Sequence, residues 1–161
     1  MAAKTDAAVV TKSTPRELII TRVFDAPRAL VFEAWTKPEH LVNWFCPNGF
    51  TLPVCEIDFR VGGIFRICMR ASDGNEHYAQ GAYREIVAPE RIVWSNSFED
   101  VPGSEIVTSV TFADHEGRTK LTVHQTYSFE SDSTRGAPQG WTETLEHLAA
   151  YVAKNLNGER R

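Results

Sequence analysis

Pro138-Gln139-Gly140-Trp141-Thr142-Glu143-Thr144-Leu145-Glu146-His147-Leu148-Ala149-Ala150-Tyr151-Val152-Ala153-Lys154-Asn155 is the stretch on which the fold turns. Trp141, Leu145, Leu148, Val152 and then Leu156 recur at the spacing that places side chains on one stripe of an α-helix. Glu143, Glu146 and Lys154 fall off that stripe. Pro138 suits a first helical turn, where its missing N–H costs nothing, and Gly158 suits the stop. A long helix with one apolar stripe needs an apolar surface to receive it, and only a sheet offers enough area here.

Upstream of the helix the chain reads as strands and hairpins. Residues 50–60, 64–71, 77–87, 91–98, 105–113 and 120–129 are six candidate strands. Between them stand Gly62-Gly63, Asp73-Gly74-Asn75, Ala88-Pro89-Glu90, Val101-Pro102-Gly103 and His115-Glu116-Gly117, all turn-forming. Connections this short imply an antiparallel meander. Alternation puts Phe65, Ile67 and Met69 on one face, joined by Ile92, Trp94 and Phe98, by Ile106, Val110 and Phe112, and by Leu121, Val123 and Tyr127. Gly81 reads as a bulge or bend, and the faces around it stay open.

Ahead of the meander, residues 17–26 (ELIITRVFDA) form a further candidate strand that stops at Pro27. Leu30, Val31, Ala34 and Trp35 then follow helical spacing. Thr36-Lys37-Pro38-Glu39 opens a second short helix carrying Leu41, Val42, Trp44 and Phe45. One strand, two short helices, six strands and a long helix make an α+β fold, in which a curved antiparallel seven-stranded sheet carries the C-terminal helix. The order argues against a parallel nucleotide-binding sheet.

Composition agrees with one globular domain. The chain has 161 residues, 42% hydrophobic and 24% charged, a size at which folding buries roughly 70% of the surface of the unfolded chain. Residues 1–15 are small and polar, lack the apolar core of a signal peptide, and read as a flexible tail that pairs at most near its end, ahead of a domain spanning 16–157. A cytoplasmic location is the default expectation, and no apolar run approaches the ~20 residues a membrane span needs. The net charge is −4, with scattered Lys and Arg, which disfavours nucleic acid. Cys46, Cys55 and Cys68 are odd in number and sit in apolar segments, so free buried thiols are expected.

Several pieces closely resemble one family. They are Arg22-Val23-Phe24-Asp25-Ala26-Pro27, Val31-Phe32-Glu33-Ala34-Trp35-Thr36-Lys37-Pro38-Glu39, Asp58-Phe59-Arg60-Val61-Gly62-Gly63-Ile64-Phe65, Gly81-Ala82-Tyr83-Arg84-Glu85-Ile86, Pro89-Glu90-Arg91-Ile92-Val93-Trp94 and Gly140-Trp141-Thr142-Glu143-Thr144-Leu145. The chain resembles the activator of heat-shock-protein-ninety ATPase homologue branch of the START-like, birch-pollen-allergen-like helix-grip superfamily (SRPBCC). The resemblance implies a β-α-α-β6-α helix-grip fold with an apolar cavity between sheet and last helix. Phe45 and Cys46 depart from the Trp and Gly that the family pattern commonly carries there. The fold implies no single activity, since its relatives carry lipids, bind hormones, cyclise polyketides or assist chaperones.

The candidate ligand-binding residues are Trp44, Phe45, Phe65, Met69, Tyr83, Trp94, Phe98, Trp141, Leu145 and Leu148. Each could equally be plain core. Asp58 and Arg60 alternate with apolar neighbours, so an outward ion pair beside a glycine turn competes with a rim for an anionic head group. His124 opposes Leu121 and Val123 in parity and is expected to face solvent, while His77 and His147 carry weaker signals. Tyr83, Glu56 and Glu85 are candidate hydrogen-bonding or acid–base groups, with a satisfied structural role as the alternative. There is no Gly-rich phosphate loop followed by Lys, no G-x-S-x-G, no H-E-x-x-H and no C-x-x-C, so no cofactor or metal is expected.

Three functional readings follow. The first is a binding or carrier protein for a small hydrophobic or amphipathic molecule. The second is a cyclase- or hydratase-type enzyme using the same cavity. The third and least favoured is a chaperone ATPase-stimulating partner, which rests on the family name alone. Whether edge strands pair two copies into a homodimer is open.

Overall fold

The computed structural model describes residues 7–156. Its strands are β1 (Val9–Thr14), β2 (Glu17–Phe24), β3 (Phe50–Ile57), β4 (Ile64–Ala71), β5 (Glu76–Val87), β6 (Arg91–Phe98), β7 (Ile106–His115) and β8 (Arg118–Tyr127). The helices are α1 (Arg28–Glu33), α2 (Pro38–Leu41), α3 (Asp132–Arg135) and α4 (Ala137–Tyr151), and α4 runs into a π-helical turn, Val152–Leu156. The strands form one antiparallel sheet in the order β1-β2-β8-β7-β6-β5-β4-β3. After β2 the chain crosses through α1 and α2 to the far edge, then meanders back until β8 pairs with β2.

The sheet has eight strands rather than the expected seven. The additional strand, β1, lies inside the stretch read as a tail, and all six of its side chains are exposed. It carries no inward-facing apolar alternation, which is the pattern that reveals a strand in sequence. Backbone pairing to β2 and a Lys12–Glu17 ion pair at 2.9 Å hold it. Residues 1–6 of the expected tail and the expected stop at Gly158 lie outside the described residues. The polar loop before the last helix contains the short α3, closed by a reciprocal Ser131–Thr134 capping box.

The helix α4 lies closest to β2 among the strands. Leu145, Leu148 and Val152 are fully or almost fully buried there, in one cluster with Leu18, Ile20, Phe24, Val110, Leu121 and Val123. At the N-terminal end of α4 the aromatic side chains converge on Trp35, just after α1. Its ring lies 4.7 Å from that of Trp44, 5.9 Å from Phe112, 6.1 Å from both Phe45 and Trp94, and 6.4 Å, stacked, from Trp141. Edge-to-face and offset pairs at these separations are favourable beyond the area they bury. Trp44 also donates its indole N–H to Ala34 O at 3.1 Å, which locks α2 against α1.

Candidate functional site

Between the sheet and the N-terminal half of α4 lies a partly open cavity of about 480 Å³. Its inner wall follows rows of residues paired across the strands. One row runs Gln125, Thr108, Trp94, Tyr83 over β8, β7, β6 and β5. The next runs Tyr127, Ile106, Asn96, Gly81, Phe65, Ile57 from β8 to β3. A third holds Phe98, Ala79 and Ile67. The helix side contributes Gly140, Trp141 and Thr144, and Trp35, Leu41 and Phe45 close the floor.

Seven of the ten residues singled out in the sequence line this space: Phe45, Phe65, Met69, Tyr83, Trp94, Phe98 and Trp141. Trp44, Leu145 and Leu148 do not. All three are completely buried in the packed core. Spacing along a helix tells which stripe faces the sheet, whereas wall and core differ only in whether the space opposite is filled. Trp35, Gln125 and Tyr127 line the cavity and were not singled out. The signal for Gln125 was available, since it is the one polar residue in the inward series Leu121, Val123, Gln125, Tyr127.

Tyr127 and Gln125 of the inner wall are neutral and linked to each other and to Thr108. Tyr127 donates its hydroxyl to Gln125 Oε1 at 2.9 Å, and Gln125 Nε2 donates to Thr108 Oγ1, also at 2.9 Å. Burial pushes the Tyr127 phenol up to about 12, and burial with a smaller contribution from Cys55 pushes Tyr83 well above its ordinary value. Both hydroxyls therefore remain protonated donors at neutral pH. The charged or titratable residues His77, Asp100 and Asp132 sit at the exposed rim, where Asp132 is paired with Arg135. Trp35 Nε1 is buried without a hydrogen-bond partner among the described residues, amid aromatic rings.

The Asp58-x-Arg60-x-Gly62-Gly63 signature serves this wall at one remove. Arg60 Nε donates to Asp58 Oδ2 at 2.8 Å, and both side chains are exposed and outside the cavity. The two glycines instead hold Tyr83: Gly62 N donates to Tyr83 O at 2.8 Å, and Tyr83 N donates to Gly63 O at 2.9 Å. A Cβ on Gly63 would lie 1.9 Å from Asp58 O, so only glycine fits the turn that fixes this part of the wall.

His124 faces away from the cavity and meets Glu17 Oε2 at 2.7 Å on the outer surface. Glu56 lines a separate surface groove with Asp58, and Glu85 pairs with Arg91 at 3.0 Å. His147 has a role that sequence did not suggest. Its Nδ1 donates to Cys46 O at 2.8 Å and its Nε2 meets Asn48 Oδ1 at 2.7 Å, fastening the loop before β3 to α4. Glu143 completes the fastener by accepting from Asn48 N at 3.0 Å. Pro47 and Phe50, at either side of this loop, are part of the cavity lining.

All three cysteines are free, and burial raises the thiols of Cys46 and, to about 11, Cys55. Such thiols are poor nucleophiles. Among the described residues no three His, Cys, Asp or Glu side chains gather as a metal site. No described helix is long and apolar enough to cross a membrane.

Known proteins agree with this architecture. A protein from Chromobacterium violaceum is 30% identical, with a TM-score of 0.77 over 86% of this chain and 98% of that one. A protein from Rhizobium leguminosarum is 28% identical, with a TM-score of 0.75 over 92% of this chain and 98% of its own. An activator-homologue protein from Silicibacter pomeroyi, 21% identical with a TM-score of 0.75 over 85% and 97%, shares the fold. No protein with a curated description matches the chain. The family model described as Activator of Hsp90 ATPase homolog 1-like protein matches residues 25–153. With its helix-grip sheet, gripped C-terminal helix and this match over most of its length, the chain belongs to the Activator of Hsp90 ATPase homolog 1-like family.

Proposed function

We propose that the protein binds a small apolar or amphipathic molecule between the sheet and α4. The observation that carries this reading is the cavity of about 480 Å³, walled by Trp35, Phe45, Phe65, Trp94, Phe98 and Trp141 and provided with a few convergent polar groups. Its size and lining match those of small-molecule sites, roughly 300–1,000 Å³ and mostly apolar. Binding is favoured over acid–base catalysis because none of the described lining residues is a buried carboxylate or imidazole. A general acid or base works best with its pKa near the operating pH, and burial moves the Tyr83 and Tyr127 phenols, the remaining candidates in the wall, away from it.

The test is a thermal-shift screen against lipids and aromatic metabolites, with hits checked by native mass spectrometry. A ligand at one hundred times its Kd stabilises by about 2.7 kcal/mol, a readily measured rise in Tm. The hit should be lost when Ala79→Trp fills the cavity in a variant that still folds. A panel that shifts nothing, or binding that survives the filled cavity, overturns the reading.

A further inference from the structure

We propose that the molecule taken up by this cavity is uncharged, contains a flat ring system, and hydrogen-bonds to Gln125 through a hydroxyl or carbonyl group. This rests on the ligand-binding reading above and narrows it to a chemical class.

Gln125 is 7% exposed, lines the cavity, and sits on the row that leads through Thr108 and Trp94 to Tyr83. A primary amide has two N–H donors and two acceptor lone pairs. Thr108 Oγ1 takes one N–H and the Tyr127 hydroxyl takes one lone pair. One donor and one acceptor of a deeply buried amide are thus left over by the bonds formed among the described residues. The two committed bonds also hold the amide in place, so a ligand oxygen meets a donor that needs no reordering.

Charge excludes ionised ligands. No Lys or Arg is among the described residues of the cavity wall, so a carboxylate or phosphate carried inside would lose its hydration with no counter-charge. An ammonium fares no better, because Asp100 and Asp132 stay at the solvent-exposed rim. The raised phenols of Tyr83 and Tyr127 add only neutral groups. The shape argument comes from Trp94 at the centre of the polar row and Trp141 on the helix side. Aromatic walls favour a planar partner, which can stack or meet them edge to face.

The experiment compares naphthalene, 2-naphthol, 2-naphthoate and 2-naphthylmethylammonium at neutral pH by ¹⁵N–¹H NMR titration of the whole protein. 2-Naphthol is expected to bind about tenfold more tightly than naphthalene, the effect of one added buried hydrogen bond, and both ions are expected to bind more weakly than 2-naphthol. In Gln125→Leu, 2-naphthol should bind no more tightly than naphthalene, the tenfold preference being lost. In the unmodified protein, cross-relaxation between the naphthol ring protons and the Gln125 side-chain amide gives a readout independent of that variant's folding. An ion binding as tightly as 2-naphthol, or absence of the Gln125 contact, overturns this inference while leaving the cavity-ligand reading intact if naphthalene binds. Failure of all four probes to bind overturns this inference, and overturns the cavity-ligand reading as well only where the lipid and aromatic panel also shifts nothing.

Discussion

Leu148 and Met69 look alike in the sequence, each an apolar residue in phase with its element, yet different surroundings set different costs for removing them. Leu148 is completely buried beneath α4, whereas Met69 is half-buried with the cavity on one side. Truncating a core leucine loses transfer free energy and leaves a new hole, so Leu148→Ala is expected to cost about 2–5 kcal/mol. Met69 already lacks neighbours on its cavity side, and Met69→Ala is expected to cost about 1 kcal/mol or less. Urea unfolding of the two variants checks the difference. Equal losses would mean that the space beside Met69 is filled in solution. Gln125 shows the same limit of the sequence: parity places it inward, but only the Tyr127 and Thr108 hydroxyls beside it show a polar group anchored in the wall.

Elements were legible where local chemistry marks their ends. The hairpins could be read because Gly62, Gly74, Gly103 and Gly117 take positive φ in the turns, and α4 because its stripe is long. The strand β1 was legible only as pairing near the end of the tail, since a strand that buries nothing leaves no alternation to read. The fastening of α4 to the loop before β3, which joins His147 to residues about one hundred positions away, was not legible. His147→Ala removes both of its hydrogen bonds to that loop. A stability loss of about 1–2 kcal/mol is expected, together with faster hydrogen exchange at the amides of Asn48 and Phe50. Unchanged exchange there would show that Glu143 and the packing of Pro47 suffice to hold the mouth of the cavity.

At the scale of the molecule, order of elements and family motifs disclose the architecture, but the cavity is a space between elements and has no residue of its own to announce it. Polar contacts between elements, each a small contribution at the surface, are equally hidden. Glu17 joins β2 to Lys12 and His124, Glu99 beyond β6 takes two guanidinium bonds from Arg66 on β4, and Glu143 joins α4 to Asn48. Hydrogen bonding to Lys12 and then His124 lowers the Glu17 carboxyl, hydrogen bonding to Arg66 lowers Glu99, and Gln139 followed by the Asn48 N–H lowers Glu143. A carboxylate with a lower pKa folded than unfolded stabilises the fold above its unfolded value of about 4.3, and that stability is lost as pH falls through the folded value. Urea unfolding followed from neutral to acidic pH should therefore show stability level above about pH 5 and declining below it. Glu99→Gln removes one of the titrating groups, so this variant should be less stable at neutral pH and lose less on acidification. A decline as steep as that of the unmodified protein would assign the acid sensitivity to other carboxylates.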